Sequence, residues 1–205
     1  MKFSGKQWLV MGSLCAVLLA PGAARAARHQ EVSAGALFFI PDDKKGLFND
    51  GVGGEVQYRY WLNDDWALAL SVGALRINVK DDDTLINGSE GRVEVLPIGA
   101  SILYDFIDYQ PFRVLLEGGV RYCFVNSKAS MVDVIGRRLD LDIDNGYALL
   151  FGVDAEYAVT KRVSVFGDVK YQYDPQGESI NTIYGPQRDN QLTGLLFRLG
   201  ASMNF

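Results

Sequence analysis

Histidine is nearly absent from this chain: His29 is the single one in 205 residues. Acid–base chemistry near neutral pH most often rests on histidine, so a Ser-His or Asp-His site has one place to form, close to the N-terminus. Cysteine is almost as scarce. Only Cys15 and Cys123 are present, and Cys15 lies in an N-terminal run read below as removed, so no intramolecular disulfide is expected. Long apolar runs are missing too. The longest runs from Trp8 to Ala20, 13 residues, whereas a spanning helix needs about 20. From residue 32 onward no stretch carries apolar residues at helical spacing, which argues against a helical bundle.

The N-terminus explains part of the 48% hydrophobic content. Lys2 and Lys6 precede the apolar run, and Pro21-Gly22 and the small-x-small site Ala24-Arg25-Ala26 follow it. This is the pattern of a secretory signal peptide over residues 1–26, cleaved after Ala26. Leu14 before Cys15 is the wrong size for a lipoprotein processing site. The mature chain, 27–205, holds 17 Lys+Arg against 25 Asp+Glu, a net charge of −8. Basic charge is short, and nucleic acid is not an expected partner.

What is present is alternation. Eight segments, about 31–40, 52–62, 66–79, 92–106, 112–125, 146–159, 163–173 and 192–205, are rich in Val, Leu, Tyr and Phe at every second position. Successive side chains of a strand point to opposite faces, so each segment has one oily and one polar or small face. The last is the clearest. Leu195, Phe197, Leu199, Ala201, Met203 and Phe205 alternate with residues that are, except for Leu196, polar or tiny. The first is ambiguous, since both its faces are apolar or small.

The connectors alternate in length. Asn63–Asp65, Ile107–Pro111 and Thr160–Arg162 are short; Pro41–Gly51, Lys80–Gly91, Asn126–Asn145 and Asp174–Gln191 are long and polar. Short turns on one side and long loops on the other describe an outer-membrane barrel with its turns in the periplasm. The expectation is therefore all-β: an eight-stranded antiparallel up-and-down transmembrane barrel over 27–205. A repeat supports it. Gly53, Gly99, Gly152 and Gly200 each precede an aromatic by five residues, at Tyr58, Tyr104, Tyr157 and Phe205. These four rings are expected in an aromatic girdle at the periplasmic interface.

The polar faces place Glu55, Arg59, Glu94, Asp105, Arg113, Glu117, Arg121, Asp154, Glu156, Asp168, Lys170 and Arg198 in one lumen. Eight strands leave an interior just wide enough for side chains, and ions buried there must pair. Either a polar plug or a gated narrow path results. No catalytic group, cofactor or metal is expected. Asp140–Gly146 resembles a calcium loop, but its sixth residue is Asn145 and its twelfth Phe151, where glycine and glutamate are needed. The alternation there reads instead as a strand extended above the membrane, partnered by Met131–Ile135 and turning at Gly136–Arg138. Arg76, Lys80, Arg92, Lys128, Arg137 and Arg138 lie toward the outer rim, in reach of lipid phosphates. Leu47, Phe48, Ile183 and Tyr184 are expected as exposed apolar loop residues.

Gly152-Val-Asp-Ala-Glu-Tyr-Ala-Val-Thr-Lys-Arg-Val-Ser-Val-Phe-Gly-Asp-Val-Lys-Tyr171, Leu96-Pro-Ile-Gly-Ala-Ser-Ile-Leu-Tyr104 and the closing Phe205 resemble the small eight-stranded outer-membrane families of Gram-negative bacteria. These are the OmpA-like transmembrane barrels and the outer membrane protein W family. The resemblance implies an eight-stranded barrel and, for the W family, a narrow hydrophobic route for small molecules. The enzymes built on such barrels rely on a histidine, and His29 precedes the first strand, so an enzyme is not expected. No peptidoglycan-binding segment follows Phe205, so the two-domain OmpA role is not expected either. The expected partners are outer-membrane lipid and lipopolysaccharide, the barrel-assembly machinery through Phe205, and a small apolar solute. The alternative is an inert barrel whose loops bind host, phage or lipopolysaccharide.

Overall fold

A computed structural model describes residues 30–42, 48–79, 90–132, 138–141, 145–175, 178–182, 185–189 and 192–205. The signal-peptide reading, His29, Leu47, Lys80, Arg137, Ile183 and Tyr184 fall outside them, as does the turn expected at Gly136.

The strands are β1 (Gln30–Pro41), β2 (Phe48–Trp61), β3 (Trp66–Val79), β4 (Glu90–Tyr109), β5 (Phe112–Val132), β6 (Arg138–Leu141), β7 (Gly146–Ala158), β8 (Val163–Tyr173), β9 (Glu178–Thr182), β10 (Gly185–Asp189) and β11 (Gly194–Asn204). The sheet runs β4-β3-β2-β1-β11-β8-β7-β5 and closes through β4–β5, every pair antiparallel. Eight strands therefore form a closed barrel. Closure leaves the wall no free edge, which is what a sheet needs in a medium that offers its backbone no hydrogen bonds. β6 pairs with the upper end of β5, and β9 pairs with β10, beyond the barrel wall.

Short polar side chains make the tight turns. Asn63 Oδ1 accepts from the backbone nitrogens of Asp65 at 2.9 Å and Trp66 at 2.7 Å. Thr160 Oγ1 accepts from those of Arg162 at 3.2 Å and Val163 at 3.0 Å. Both are side-chain mimics of a backbone turn. The third turn is tighter than expected. A bulge between Asp105 and Ile107 lets β4 continue to Tyr109, which pairs with Phe112, so only Gln110-Pro111 lies between the strands. At the other end β5 reaches Val132, and Ala129–Val132 pairs with Leu141–Arg138 in the expected hairpin. Asp140 of the calcium-like stretch belongs to this pairing, opposite Ser130.

β1 resolves in favour of Val32, Ala34, Ala36, Phe38 and Ile40 outside and Glu31, Ser33, Leu37 and Phe39 inside. In β2, β5, β7, β8 and β11 the oily residues of the alternation lie on the outer wall. The repeat glycines all face inward, opposite in parity to their aromatics. A methyl group at Gly53 would lie 2.0 Å from Ala74 O, and at Gly200 2.0 Å from Ala34 O. Neighbouring backbone occupies the space of a side chain there.

Candidate functional site in the lumen

The lumen is layered, from the end carrying the turns to the end carrying the loops. At the turn end Trp61, Ala67, Ala69, Leu103 and Leu115 form a small apolar cluster. Arg113 lies beside it, its guanidinium 4.1 Å from the Trp61 ring centroid and its Nε donating to Asp105 Oδ2 at 2.6 Å.

Above this is a charged layer. Arg59 on β2 reaches across to Asp154 and Glu156 on β7 and sideways to Glu31 on β1 at 3.1 Å. β2 and β7 are four strands apart in an eight-strand ring, so this one side chain spans the diameter. Arg59 Nε also donates to Gln57 Oε1 at 2.9 Å. Gln57 joins the halves of the layer: its Oε1 also accepts from Arg198 Nη2 at 3.0 Å, and its Nε2 donates to Glu117 Oε1 at 3.2 Å. Arg198 pairs with Asp168 at 2.7 Å and Glu55 at 3.2 Å, and Glu55 pairs with Arg121. Lys170 meets Glu117 at 2.7 Å and Asp168 at 3.6 Å. Ser101 Oγ donates to Glu117 Oε1 at 2.7 Å.

Both Arg59 and Arg198 are 0% exposed, as is Asp154, and Lys170 is 2% exposed. These side chains leave almost no surface to water, so the layer is closely packed. It holds six carboxylates (Glu31, Glu55, Glu117, Asp154, Glu156, Asp168) against four cations (Arg59, Arg121, Lys170, Arg198). Among the described residues Glu31 Oε2, Asp154 Oδ1 and Asp168 Oδ1 have no hydrogen-bond donor, and Arg121 Nε and Arg198 Nη1 no acceptor.

The loop half of the lumen is apolar. Leu37, Phe39, Phe48, Leu75, Ile77, Val93, Val95, Cys123, Leu150, Leu192 and Leu196 pack together there, all but Leu75 less than 5% exposed. Gln172 Nε2 donates to Leu192 O at 2.7 Å, fastening the incoming loop to the rim of the charged layer.

Eleven of the twelve charges read as luminal are brought inside; Glu94 is not. It shares parity with Tyr104, lies on the outer face of β4, and meets Arg76 at 3.8 Å and Arg92 at 3.7 Å. The correction is one of register. Counting by twos from Tyr104 puts Glu94 outside, and only its charge argued for the lumen. Phe48 is a second correction. It belongs to β2 and is 2% exposed, so it is core and not a free loop residue. The luminal charges read from the pattern left out Glu31, hidden in the ambiguous first strand, and gave no part to Gln57, which lies on the same face as Glu55 and Arg59 but carries no charge.

Outside, Tyr104 packs on Trp66 at 4.8 Å and Tyr157 on Phe112 at 6.1 Å between ring centroids. Trp66 and Phe112 begin the strands after two tight turns, a positional signal the sequence reading did not use. Tyr58, Tyr104, Tyr157 and Phe205 all point outward, Tyr58 half-buried between its neighbours. Arg76 lies ten residues above Trp66 on β3. At about 3.3 Å per residue and a strand tilt of roughly 40° this is about 25 Å, the height of a barrel's apolar band. The intervening outward residues of β3 are Leu68, Leu70, Val72 and Ala74. Trp66 with Tyr104, and Arg76 with Arg92, thus mark the two edges of that band.

Comparison with known proteins agrees with this geometry. An uncharacterized outer-membrane protein of Sinorhizobium fredii, y4mB, is 24% identical over 140 residues, 68% of this chain; the match spans 59% of that relative's length. Among solved structures, a major outer membrane protein from Thermus thermophilus has a TM-score of 0.57 at 19% identity, over 85% of this chain and 99% of that one. Outer Membrane Protein W of E. coli has a TM-score of 0.56 at 19% identity, over 89% and 100%. At such identities the likeness concerns the fold. The sequence itself matches the outer membrane protein beta-barrel domain over residues 12–205. The oily stripes of the strands therefore meet hydrocarbon and not a second sheet, and the chain belongs to the outer membrane protein beta-barrel domain family.

Proposed function

We propose that this chain is a non-enzymatic outer-membrane barrel that takes up small apolar solutes at its loop end and releases them sideways into the bilayer. One observation carries the reading: an apolar upper lumen rests on a charged layer that spans the barrel's diameter. The interior of an outer-membrane barrel is ordinarily polar. The apolar interior here is filled by its own side chains, so a greasy solute would enter by displacing them, and the charged layer beneath denies it a straight path to the periplasm. The partners proposed are lipid, lipopolysaccharide at Arg76 and Arg92, and the assembly machinery at Phe205.

Liposomes containing the barrel should accumulate an apolar solute faster than protein-free liposomes, while planar bilayers show no steady ion conductance. Phe39→Lys, which puts a charge in the apolar layer, should return uptake to the protein-free rate with the heat-dependent gel mobility of a folded barrel retained. Equal uptake with and without the wild-type barrel would sink the proposal. A second reading, adhesion through the loop end, is favoured by the strands that extend past the wall, β5 with β6 and β9 with β10. It predicts no uptake, and binding to host, phage or lipopolysaccharide that is lost when 174–191 are shortened.

Phe205 offers a separate check. Its backbone nitrogen donates to Gln30 O at 2.9 Å while its ring stays 68% exposed. Packing therefore depends little on the ring. Phe205→Ala should lower the amount of folded barrel in the outer membrane severalfold while purified protein still refolds in detergent. Equal losses in cells and in detergent would mean that the ring serves stability and not recognition.

A further inference from the structure

We propose that a trough in the lipid-facing wall seats one acyl chain of a phospholipid from the leaflet next to the turns. The trough has a volume of about 570 Å³ and is lined almost wholly by apolar atoms of β2, β3, β4 and β5. That volume falls within the range of about 300–1,000 Å³ typical of ligand sites. Its cause is visible in the register. Across one row Tyr58 pairs with Leu70, Leu70 with Ala100 and Ala100 with Val120; in the next, Ile102 pairs with Gly118. Ala100 and Gly118 are therefore small residues on adjoining rows of a belt whose other outward positions are mostly bulky. A methyl group at Gly118 would meet no atom within 4 Å. The floor is bare backbone, and Tyr58 and Tyr60 form one bank.

The occupant follows from the surroundings. The trough opens inside the apolar band, immediately above the Trp66–Tyr104 pair that marks the interface on the turn side. Water is excluded at that depth, and a void there forfeits the dispersion contacts that a chain of methylenes would make. A second barrel fills it poorly. A twofold contact centred on the trough sets one hollow against an identical hollow. A flexible hydrocarbon chain fits, and with its headgroup at the level of Trp66 it belongs to the periplasmic leaflet. Lipid A, confined to the opposite leaflet, enters from the wrong side.

The experiment is native mass spectrometry of the full mature barrel reconstituted in vesicles of phosphatidylethanolamine and phosphatidylglycerol, then released in mild detergent. Wild type should retain one phospholipid through the release. Gly118→Leu, whose Cβ would meet no atom within 4 Å and whose side chain would occupy the floor, should lose it. Ala201→Leu, an enlargement at an outward position on the opposite wall, should keep it. Heat-dependent gel mobility reports folding for each variant, and Ala100→Leu fills the same floor should Gly118→Leu fail to fold. Retention by the filled variants equal to wild type overturns the proposal. So does a wild type that retains no phospholipid, that retains lipid A in preference from mixed vesicles, or that emerges as a pair of barrels dissociated by Gly118→Leu.

Discussion

Replacing Arg59 by methionine is expected to cost about 3–5 kcal/mol of barrel stability, the range for removing one partner of a buried ion pair. Arg59 is wholly buried and answers three carboxylates, Glu31, Asp154 and Glu156, from two other strands. Without it those groups keep the cost of leaving water and lose the charge that offset it. The layer already carries more carboxylates than cations, so none of its other cations is free to take over: Arg198, Arg121 and Lys170 each have carboxylates of their own. Urea titration in detergent micelles, compared with wild type, reads the loss. Adding Glu31→Gln, Asp154→Asn and Glu156→Gln to Arg59→Met should recover more than half of it, because neutral amides leave no uncompensated charge. A single variant as stable as wild type would show that the layer contributes nothing to the fold.

The second large effect is expected at Gly200. It sits opposite Gly35 where β11 closes on β1, and an added methyl group would stand 2.0 Å from Ala34 O and 2.6 Å from Gly35 Cα. Both obstacles are backbone, so no rotamer change relieves the clash and the two strands must part. Overpacking of this kind costs about 1–3 kcal/mol in a core that can adjust. A closing seam adjusts less, because its backbone groups find no other hydrogen-bond partners in lipid. Gly200→Ala should lower the urea midpoint, and Gly200→Val should abolish the compact species on unheated gels. Gly118→Val, on an open stretch of wall, should leave both unchanged. If Gly200→Val migrates as a folded barrel, close approach of backbone is not what the repeat glycines provide.

Both expectations bear on how much could be read before any coordinates. The alternation of Leu195 to Phe205 and of Phe112 to Phe124 was enough to assign inside and outside, because the period of a strand is two whatever surrounds it. The turn chemistry at Asn63 and Thr160 was equally local. The family resemblance on Gly152–Tyr171 agreed with both. Where strands departed from alternation the reading failed. β1 offered apolar or small residues to both faces, so Glu31 went unnoticed, and Glu94 was assigned by its charge against the parity of Tyr104. Phe48 was lost to a loop because the bulge between Phe48 and Gly51 breaks the count.

The sequence by itself determined the class of molecule: extended segments with one oily stripe, joined alternately by tight turns and long loops. These are properties of single segments, and local chemistry decides them. Only the tertiary structure decided which charges meet, that Gln57 joins the two halves of the layer, that the loop half of the lumen is apolar, and that Ala100 and Gly118 hollow the outer wall. Each of those depends on register between strands distant in sequence. Register is set by closure of the whole ring, a constraint that no single segment carries.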